Sequence, residues 1–336
     1  MDSALSTPVL RSRLRRQLAE RRSRLESTIA DLDRPQDLLR LLAEVDSALS
    51  RLDGGALGKC AVCEGEVEES DLAANPMATY CLCKLTPERQ RALERDLDLA
   101  WQVQSALLPV LGLSAAGWQT HYRYLPNGAV SGDYCDLVVA DDDAGLYFML
   151  GDVSGKGVAA SLLMAHLNAA LRGFARSGLS PQKAIEEANR LLGGSTLATH
   201  YATLVCGRAT SQGEVELVNA GHCSPMIVRS SGSVEVLETS GLPLGLAVAV
   251  GAADDYPTER ATLNAGDTLF LYTDGLTEAA NPRDDDYGKE RLAKVLSTGA
   301  RQSPRNLIAR CLGDLTSFLA GESLNDDLTV MALARG

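Results

Sequence analysis

The sequence predicts an α+β domain preceded by an α-helical hairpin and a small cysteine-containing module. Three observations carry this prediction: apolar residues recur at helical spacing near the N-terminus, four cysteines crowd into one short stretch, and β-like runs separated by helical segments fill the chain beyond about Gly117. A length of 336 residues suits one large and one smaller domain. We place the boundaries at residues 1–85 for the hairpin and module, 86–112 for a helical connector, and 113–336 for the large domain.

Two amphipathic helices are expected at the N-terminus. Apolar residues at steps of three, four or seven define one face of each: Leu10, Leu14, Leu18, Leu25, Ile29 and Leu32 before Pro35, then Leu38, Leu41, Leu42, Val45, Leu49 and Leu52 before Gly54-Gly55. Two such helices joined by a short turn predict an antiparallel hairpin. The first helix also carries seven arginines between Arg11 and Arg24, which form either a solvated face or a surface for an acidic partner.

Four of the eight cysteines lie close together, at Cys60, Cys63, Cys81 and Cys83. Zinc prefers four thiolates in a tetrahedron, and the C-x-x-C spacing of the first pair supplies two of them from one tight turn. The second pair has the shorter spacing C-x-C, so the cluster is either a zinc site or a degenerate finger without metal. The remaining cysteines are scattered, which is typical of reduced thiols.

The hairpin and the cysteine cluster together resemble the DksA/TraR-type zinc finger over about residues 5–85. The resemblance rests on Leu57-Gly58-Lys59-Cys60, on Cys63-Glu64-Gly65, and on the segment from Ala73-Ala74-Asn75-Pro76 to Tyr80-Cys81. It implies a module that holds zinc and contacts a regulatory partner, which for some members of that family is RNA polymerase. A chain that worked only through such contacts would be a non-enzymatic regulator, and this is the alternative to an enzyme.

A connector helix is expected after the module. Thr86 is a suitable N-cap, Pro87 suits the first helical position, and the helical pattern continues to Pro109. The apolar residues of this helix form a seam that consists of Leu93, Leu97, Ala100, Val103 and Leu107. The seam either pairs with the same helix of a second copy in a homodimer or packs on the domain that follows.

The large domain alternates predicted strands and helices. Strands are expected at Val138-Val139, Leu146–Leu150, Ala202–Cys206, Val215–Val218, Met226–Val228, Val234–Leu237, Thr268–Tyr272 and Leu328–Leu333. Helices are expected at Val158–Ala175, Pro181–Leu192, Lys289–Leu296 and Pro304–Leu319. This pattern predicts helices that cover sheets.

Four glycine-rich or strand-end motifs place aspartates where chemistry can occur: Ser131-Gly132-Asp133-Tyr134, Gly151-Asp152-Val153-Ser154-Gly155, Tyr272-Thr273-Asp274-Gly275 and Asn325-Asp326-Asp327-Leu328-Thr329. A single aspartate of this kind often only caps a turn. Four of them together favour oxygen ligands that converge on hard cations such as Mg²⁺ or Mn²⁺. Two such ions about 4 Å apart activate a water for in-line attack on a phosphoryl group, without a protein nucleophile.

In this order the motifs resemble the PPM (protein phosphatase 2C-like) family, in its SpoIIE/RsbU-like bacterial branch, over about residues 95–336. Further matches are Gln104-Ser105-Ala106-Leu107-Leu108-Pro109, Asn219-Ala220-Gly221-His222, Gly241-Leu242-Pro243-Leu244-Gly245 and Asp274-Gly275-Leu276-Thr277-Glu278. The resemblance implies an αββα sandwich and a metal-dependent protein serine/threonine phosphatase. Its usual substrate is a phosphoserine or phosphothreonine on an anti-anti-sigma (STAS-domain) protein.

The same resemblance implies roles for individual residues. Asp152 would bridge two metals, Asp274 and Asp326 would complete one site, and Asp133 with the backbone carbonyl of Val153 would belong to the other. Asp327 directly follows Asp326 and is the alternative ligand at that position. Lys156 either assists phosphate binding or is simply solvated.

Composition narrows the partners and the compartment. The formal net charge of -12 argues against nucleic-acid binding, which needs clustered positive charge. The start of the chain lacks a signal-peptide pattern, and no run of about eighteen apolar residues predicts a membrane span. We therefore expect a cytoplasmic protein that does not associate with membranes.

One competing catalytic motif needs a test. The segment from His222-Cys223 to Arg229 matches H-C-x5-R, the pattern of cysteine-dependent phosphatases. That chemistry needs a phosphate-cradling loop followed by a helix, whereas Met226-Ile227-Val228 is predicted to be a strand. We therefore interpret Cys223 as an ordinary small residue without a catalytic role, and His222 as a turn or strand-pairing residue near the site.

Overall fold

The protein is described from a computed structural model. It describes residues 8–30, 36–60, 67, 69–74, 76–78, 87–140, 145–155, 157–195, 201–238, 240–246 and 256–336. The chain divides into two compact units, one of residues 1–99 and the other of residues 100–196 and 200–336. The division falls inside the connector helix, and each unit has its own core.

The first unit is a helical hairpin with a short additional helix. It contains α1 (Pro8–Ala30), α2 (Gln36–Asp53), α3 (Glu69–Ala74) and the start of α4 (Pro87–Leu107). Arg15 pairs with Asp53 and Arg22 with Asp46, so the two long helices run antiparallel. Their apolar faces meet in a core of Leu14, Leu18, Leu25, Leu38, Leu41, Val45, Ala48 and Leu52, which extends to Leu57, Cys60, Val67 and Leu72.

The second unit is built from two antiparallel sheets. The six-stranded sheet has the order β1-β2-β11-β10-β7-β8 and the five-stranded sheet the order β3-β4-β5-β6-β9. The strands are β1 (Ser114–Ala115), β2 (Trp118–Leu125), β3 (Asp133–Val139), β4 (Leu146–Val153), β5 (Ala202–Ala209), β6 (Glu214–Ala220), β7 (Met226–Val228), β8 (Val234–Val236), β9 (Thr258–Thr262), β10 (Thr268–Tyr272) and β11 (Leu328–Arg335).

Helices cover the outer face of each sheet. On β4, Tyr147 and Met149 contact the core beneath α5 (Val158–Arg176) and α6 (Pro181–Ser195), whereas Phe148 packs between the sheets. The other sheet is covered by α7 (Asp274–Thr277), α8 (Lys289–Thr298) and α9 (Pro304–Leu319). Because side chains alternate along a strand, a central strand buried on both faces is almost wholly apolar. The layers are therefore helix, sheet, sheet and helix.

The structure adds elements that the sequence analysis did not predict. The strand β2 has an alternating pattern with exposed Gln119 and Arg123, and β9 is a partly exposed edge strand with one apolar residue, Ala261. Their polar composition hides both from a search for apolar runs. Short helices α3 and α7 were also not predicted.

Among the described helices, α5 is long and apolar enough to cross a membrane, judged by its length and composition alone. Its buried residues, among them Met164, Leu167 and Leu171, belong to the core of the second unit. Arg172 on the same helix forms a bidentate ion pair with the buried Asp136, at 2.6 and 2.8 Å.

Candidate active site

The predicted aspartates meet where the ends of both sheets come together. Asp133 begins β3 and Asp152 lies near the end of β4, and the two residues are direct partners across these strands. Asp274 begins α7 directly after β10, and Asp326 and Asp327 precede β11. Residues that are far apart in sequence therefore contribute carboxylates to one region.

Asp133 is the most deeply buried of these carboxylates, with 1% exposure. Its Oδ2 accepts hydrogen bonds from Thr273 Oγ1 at 3.2 Å and from Thr329 Oγ1. The two threonines are themselves joined, since the amide of Thr329 donates to Thr273 Oγ1 at 2.8 Å. Two hydroxyls, one on β11 of the six-stranded sheet and one on the residue that follows β10, thus fix a carboxylate that belongs to the five-stranded sheet.

Asp326 and Asp327 have different surroundings. The Oδ1 of Asp326 accepts the amide of Asp327 at 2.9 Å. The Oδ1 of Asp327 accepts the amide of Asn127 at 2.7 Å, and its Oδ2 accepts the amide of Gly132 at 2.9 Å. Both oxygens of Asp327 are therefore used by backbone groups of the loop between β2 and β3.

Close backbone packing holds Asp274 beside this pair. A Cβ on Gly275 would lie 1.9 Å from the carbonyl oxygen of Asp327, so only glycine fits at this position. The first turn of α7 is thereby pressed against the residues that precede β11. The glycine of the Asp274-Gly275 motif permits this approach of two backbones.

The carboxylates shift one another's proton affinity. Burial raises the pKa of Asp133 well above its ordinary value, the charges of Asp327, Asp274 and Asp326 raise it further, and the hydrogen bond from Thr329 opposes the increase. Burial likewise raises the pKa of Asp152, and the charges of Asp133 and Asp274 add to the effect. Buried acids that repel one another are stabilised as anions by a bound cation.

The donor atoms fit a hard divalent cation. Among the residues that the structure describes, no group of three or more histidine, cysteine or carboxylate side chains has the geometry of a complete metal site. The oxygens nevertheless converge: a Cβ on Gly132 would lie 2.9 Å from the Val153 carbonyl oxygen and 3.1 Å from Asp152 Oδ1. This glycine leaves space beside two oxygen donors, and all-oxygen donors suit Mg²⁺ or Mn²⁺.

His222 lies next to the strand that pairs with the Asp152 strand. Its Nδ1 is 2.8 Å from Thr203 Oγ1, and Thr203 is the cross-strand partner of Asp152. Burial lowers the pKa of His222 to about 4. The imidazole is therefore neutral near pH 7 and acts as a polar packing group.

The H-C-x5-R interpretation is wrong. Met226–Val228 is the strand β7, and the guanidinium of Arg229 is held by Glu235 at 2.6 Å and by Asp267 at 3.0 Å. Burial, with the nearby charge of Asp274, raises the pKa of the Cys223 thiol to about 12. A protonated thiol without a phosphate loop is a poor nucleophile.

Several residues that shape the site had no assigned role in the sequence analysis. Thr273 and Thr329 lie beside predicted aspartates in the motifs, but their roles depend on contact between two sheets. Gln104 donates to the Ser131 carbonyl at 2.7 Å and accepts the Ser131 amide at 3.0 Å, which fixes the residue two positions before Asp133.

Only one of the four cysteines predicted to bind zinc lies within the described residues. Cys60 is buried, with 4% exposure, in the core of the first unit. Cys63, Cys81 and Cys83 lie outside the described residues, as does Lys156.

Comparisons with known proteins find one matching family model and several related sequences. Residues 142–336 match the family model described as Stage II sporulation protein E (SpoIIE). The chain is 25% identical over 251 residues to phosphoserine phosphatase RsbU of Bacillus subtilis, covering 73% of this chain and 72% of RsbU. It is 26% identical over 270 residues to protein IcfG of Synechocystis, covering 71% of this chain and 41% of IcfG.

A solved structure shares the fold. The crystal structure of the RsbU and RsbW domains of a Mycobacterium tuberculosis protein matches with a TM-score of 0.55 and 28% identity, covering 68% of this chain and 61% of that one. The chain thus spans less than two thirds of the length of IcfG and of the mycobacterial structure.

Proposed function

Because this chain belongs to the Stage II sporulation protein E (SpoIIE) family, we propose that its second unit is a PP2C-type phosphatase domain, which removes phosphate from a phosphoserine or phosphothreonine of a regulatory protein. The proposed substrate is a phosphorylated anti-anti-sigma protein of the STAS type. This choice is supported by the similarity to RsbU, a phosphoserine phosphatase.

The observation that carries the proposal is the convergence of five carboxylates where the strand ends of the two sheets meet. Buried Asp133 and half-buried Asp152 are direct cross-strand partners, and the charges of Asp274, Asp326 and Asp327 raise the pKa values of both. One buried and four half-buried carboxylates that repel one another are costly in a stable fold unless a cation neutralises them. A binding site for divalent cations explains why the fold retains them.

The proposed ligand set is the one that the resemblance to the PPM family implies, and the surroundings described above support it. Asp152 would contact two cations of Mn²⁺ or Mg²⁺, with Asp274 and Asp326 on one side and Asp133 with the Val153 carbonyl on the other. When bound, such ions lower the pKa of a water and neutralise charge on a phosphoryl group. The threonine pair Thr273 and Thr329 would keep Asp133 oriented toward Asp152, which reduces the cost of arranging the ligands.

The test is hydrolysis of a phosphorylated STAS-domain protein by the full chain. We expect phosphate release that requires Mn²⁺ or Mg²⁺ and is abolished by a chelator. Asp152→Asn and Asp274→Asn should each lower kcat by at least about 100-fold, since either change weakens stabilisation of the reacting phosphoryl group. Glu322→Gln, at an exposed position after α9, is the matched control and should have normal activity.

Two outcomes would reject the proposal. Full activity of Asp152→Asn would remove the metal site from the mechanism. Loss of activity on thiol alkylation, together with indifference to chelators, would return the function to Cys223. Cys223→Ser is expected to retain activity.

For the first unit we propose a zinc-binding regulatory module. Cys60 is buried in the hairpin core, and the C-x-x-C spacing with Cys63 supplies one half of a tetrahedral site. Metal analysis of the full chain should give one zinc per chain, reduced in a Cys60→Ser variant. A chain that contains no zinc after purification without chelators would leave the module as a degenerate finger. RNA polymerase is a proposed partner of this module, to be tested by co-purification with the full chain.

We further propose that α4 pairs with its equivalent in a second copy. Leu99 and Val103 lie one helical turn apart on α4 and are 59% and 57% exposed. A two-fold contact along the helix would remove both side chains from water.

A further inference from the structure

The two consecutive aspartates before β11 differ in what holds them, and Asp327 is held by a loop. Its two oxygens accept the amides of Asn127 and Gly132, at 2.7 and 2.9 Å. These two amides bracket residues 127–132, and Asp133 follows immediately. Hydrogen bonds to an ionised acceptor are about twice as strong as neutral ones, so one side chain closes the whole loop.

This loop is the crossing between the two sheets. It leaves β2 of the six-stranded sheet and enters β3 of the five-stranded sheet. Asp327 directly precedes Leu328, whose cross-strand partner is Leu125 at the end of β2. The two hydrogen bonds accepted by Asp327, which we call the clamp, therefore fix the start of β3 relative to the segment that contains Asp326 and leads into β11.

The far end of the loop is held from two more directions. Gln104 binds both the amide and the carbonyl of Ser131, and the amide of Val153 donates to the Gly132 carbonyl at 3.2 Å. Asp327 supplies the remaining contact, on the amide of Gly132. Without it, the amide of Gly132 loses its partner, while Gln104 and the Val153 amide still hold Ser131 and the Gly132 carbonyl.

The tolerance for movement here is small. A Cβ on Gly132 would already come within 2.9 Å of the Val153 carbonyl oxygen and 3.1 Å of Asp152 Oδ1. A shift of Gly132 therefore changes the space beside two oxygens proposed as cation ligands. It also moves Asp133, the next residue, relative to its cross-strand partner Asp152.

We propose that Asp327 is a positioning residue, which acts through the loop 127–132 to hold Asp133 opposite Asp152, while Asp326 supplies its carboxylate to the cations. The proposal rests on the proposed phosphatase function. It divides the two tasks between adjacent residues of the same chemistry. A direct ligand role for Asp327 is the competing interpretation.

The test compares Asp327→Ala and Asp327→Asn with Asp326→Asn in the full chain. Two quantities are measured: the number and affinity of bound Mn²⁺ ions by titration calorimetry, and amide hydrogen exchange of residues 127–132 in metal-free protein. Asp327→Ala should accelerate exchange of the loop amides by roughly 10- to 100-fold, because it removes two bonds to a charged acceptor. It should keep the number of bound ions and lower kcat.

Asp326→Asn should show the opposite pattern, with fewer or more weakly bound Mn²⁺ ions and unchanged loop exchange. Asp327→Asn keeps one acceptor oxygen and should fall between wild type and Asp327→Ala; it is also the variant to use if the alanine variant does not fold. Loss of one Mn²⁺ from an Asp327 variant whose loop exchanges normally would overturn the proposal. Loop exchange does not depend on phosphatase activity, so a wild-type chain without Mn²⁺-dependent hydrolysis would reject the proposed function and not the clamp.

Discussion

Thr329, on the six-stranded sheet, donates its hydroxyl to the carboxylate of Asp133, on the five-stranded sheet. Asp133 is almost completely buried, so the donor lost in Thr329→Val cannot be replaced freely by water. We expect the variant to lose about 1–3 kcal/mol of stability and to have a lower kcat. Chemical denaturation and phosphate release measure the two effects.

The control for this change is Thr316→Val. Thr316 bonds the carbonyl of Leu312 on the exposed face of α9, so its replacement removes the same group without affecting a carboxylate. Equal stability and activity of Thr329→Val and Thr316→Val would show that the contact with Asp133 is unimportant.

His222 gives the protein a defined sensitivity to acid. Burial lowers its pKa from 6.5 to about 4, so the folded state holds the neutral ring while the unfolded chain binds a proton below pH 6.5. The contribution of His222 to stability is therefore complete above pH 6.5 and is lost as the pH falls toward 4. Its size is roughly 3 kcal/mol at most.

The measurement is the free energy of unfolding of wild type and His222→Gln between pH 7 and pH 4. The difference between the two proteins should change across this window, because only wild type carries the titrating ring. Exposed His166→Gln is the control and should follow wild type. A constant difference between wild type and His222→Gln would contradict the assignment.

The sequence predicted those strands whose side chains are apolar on both faces. Leu146–Leu150 reads as a continuous apolar run because β4 lies between a helical layer and the second sheet. The strand β2 did not give this signal, since one of its faces carries Gln119 and Arg123. Burial on one face only is what a search for apolar runs cannot detect.

The candidate site shows the same limit. Motif spacing made the aspartates candidates, because glycine and strand ends mark them locally, and the structure brings them into one region. It gave no role to Thr273, Thr329 or Gln104, since each acts across elements that meet only in the folded chain. Likewise, the proposed division of roles between Asp326 and Asp327 rests on the positions of the amides of Asn127 and Gly132, which the sequence does not reveal.

Gly275 tests whether α7 must approach the strand end closely. A Cβ at this position would lie 1.9 Å from the Asp327 carbonyl oxygen, so the Gly275→Ala variant must displace one of the two backbones. We expect a loss of at least about 1–3 kcal/mol in unfolding free energy, together with loss of activity. Gly313→Ala is the matched control in α9, where no atom lies within 4 Å of the added Cβ. That change should stabilise the protein by about 0.5–1 kcal/mol.

The exposed side chains of Leu99 and Val103 on α4 allow a test of the proposed homodimer. Val103→Glu places a charge where two apolar side chains would meet, so the dimer should dissociate. Gln102→Glu adds the same charge at the adjacent exposed position, outside the proposed contact of Leu99 and Val103, and should leave the dimer intact. Light scattering after size-exclusion chromatography measures the mass of each variant. A wild-type chain that is monomeric at all concentrations, or a Val103→Glu variant that stays dimeric, would exclude pairing through this face, since a two-fold contact brings the same residues of both copies together.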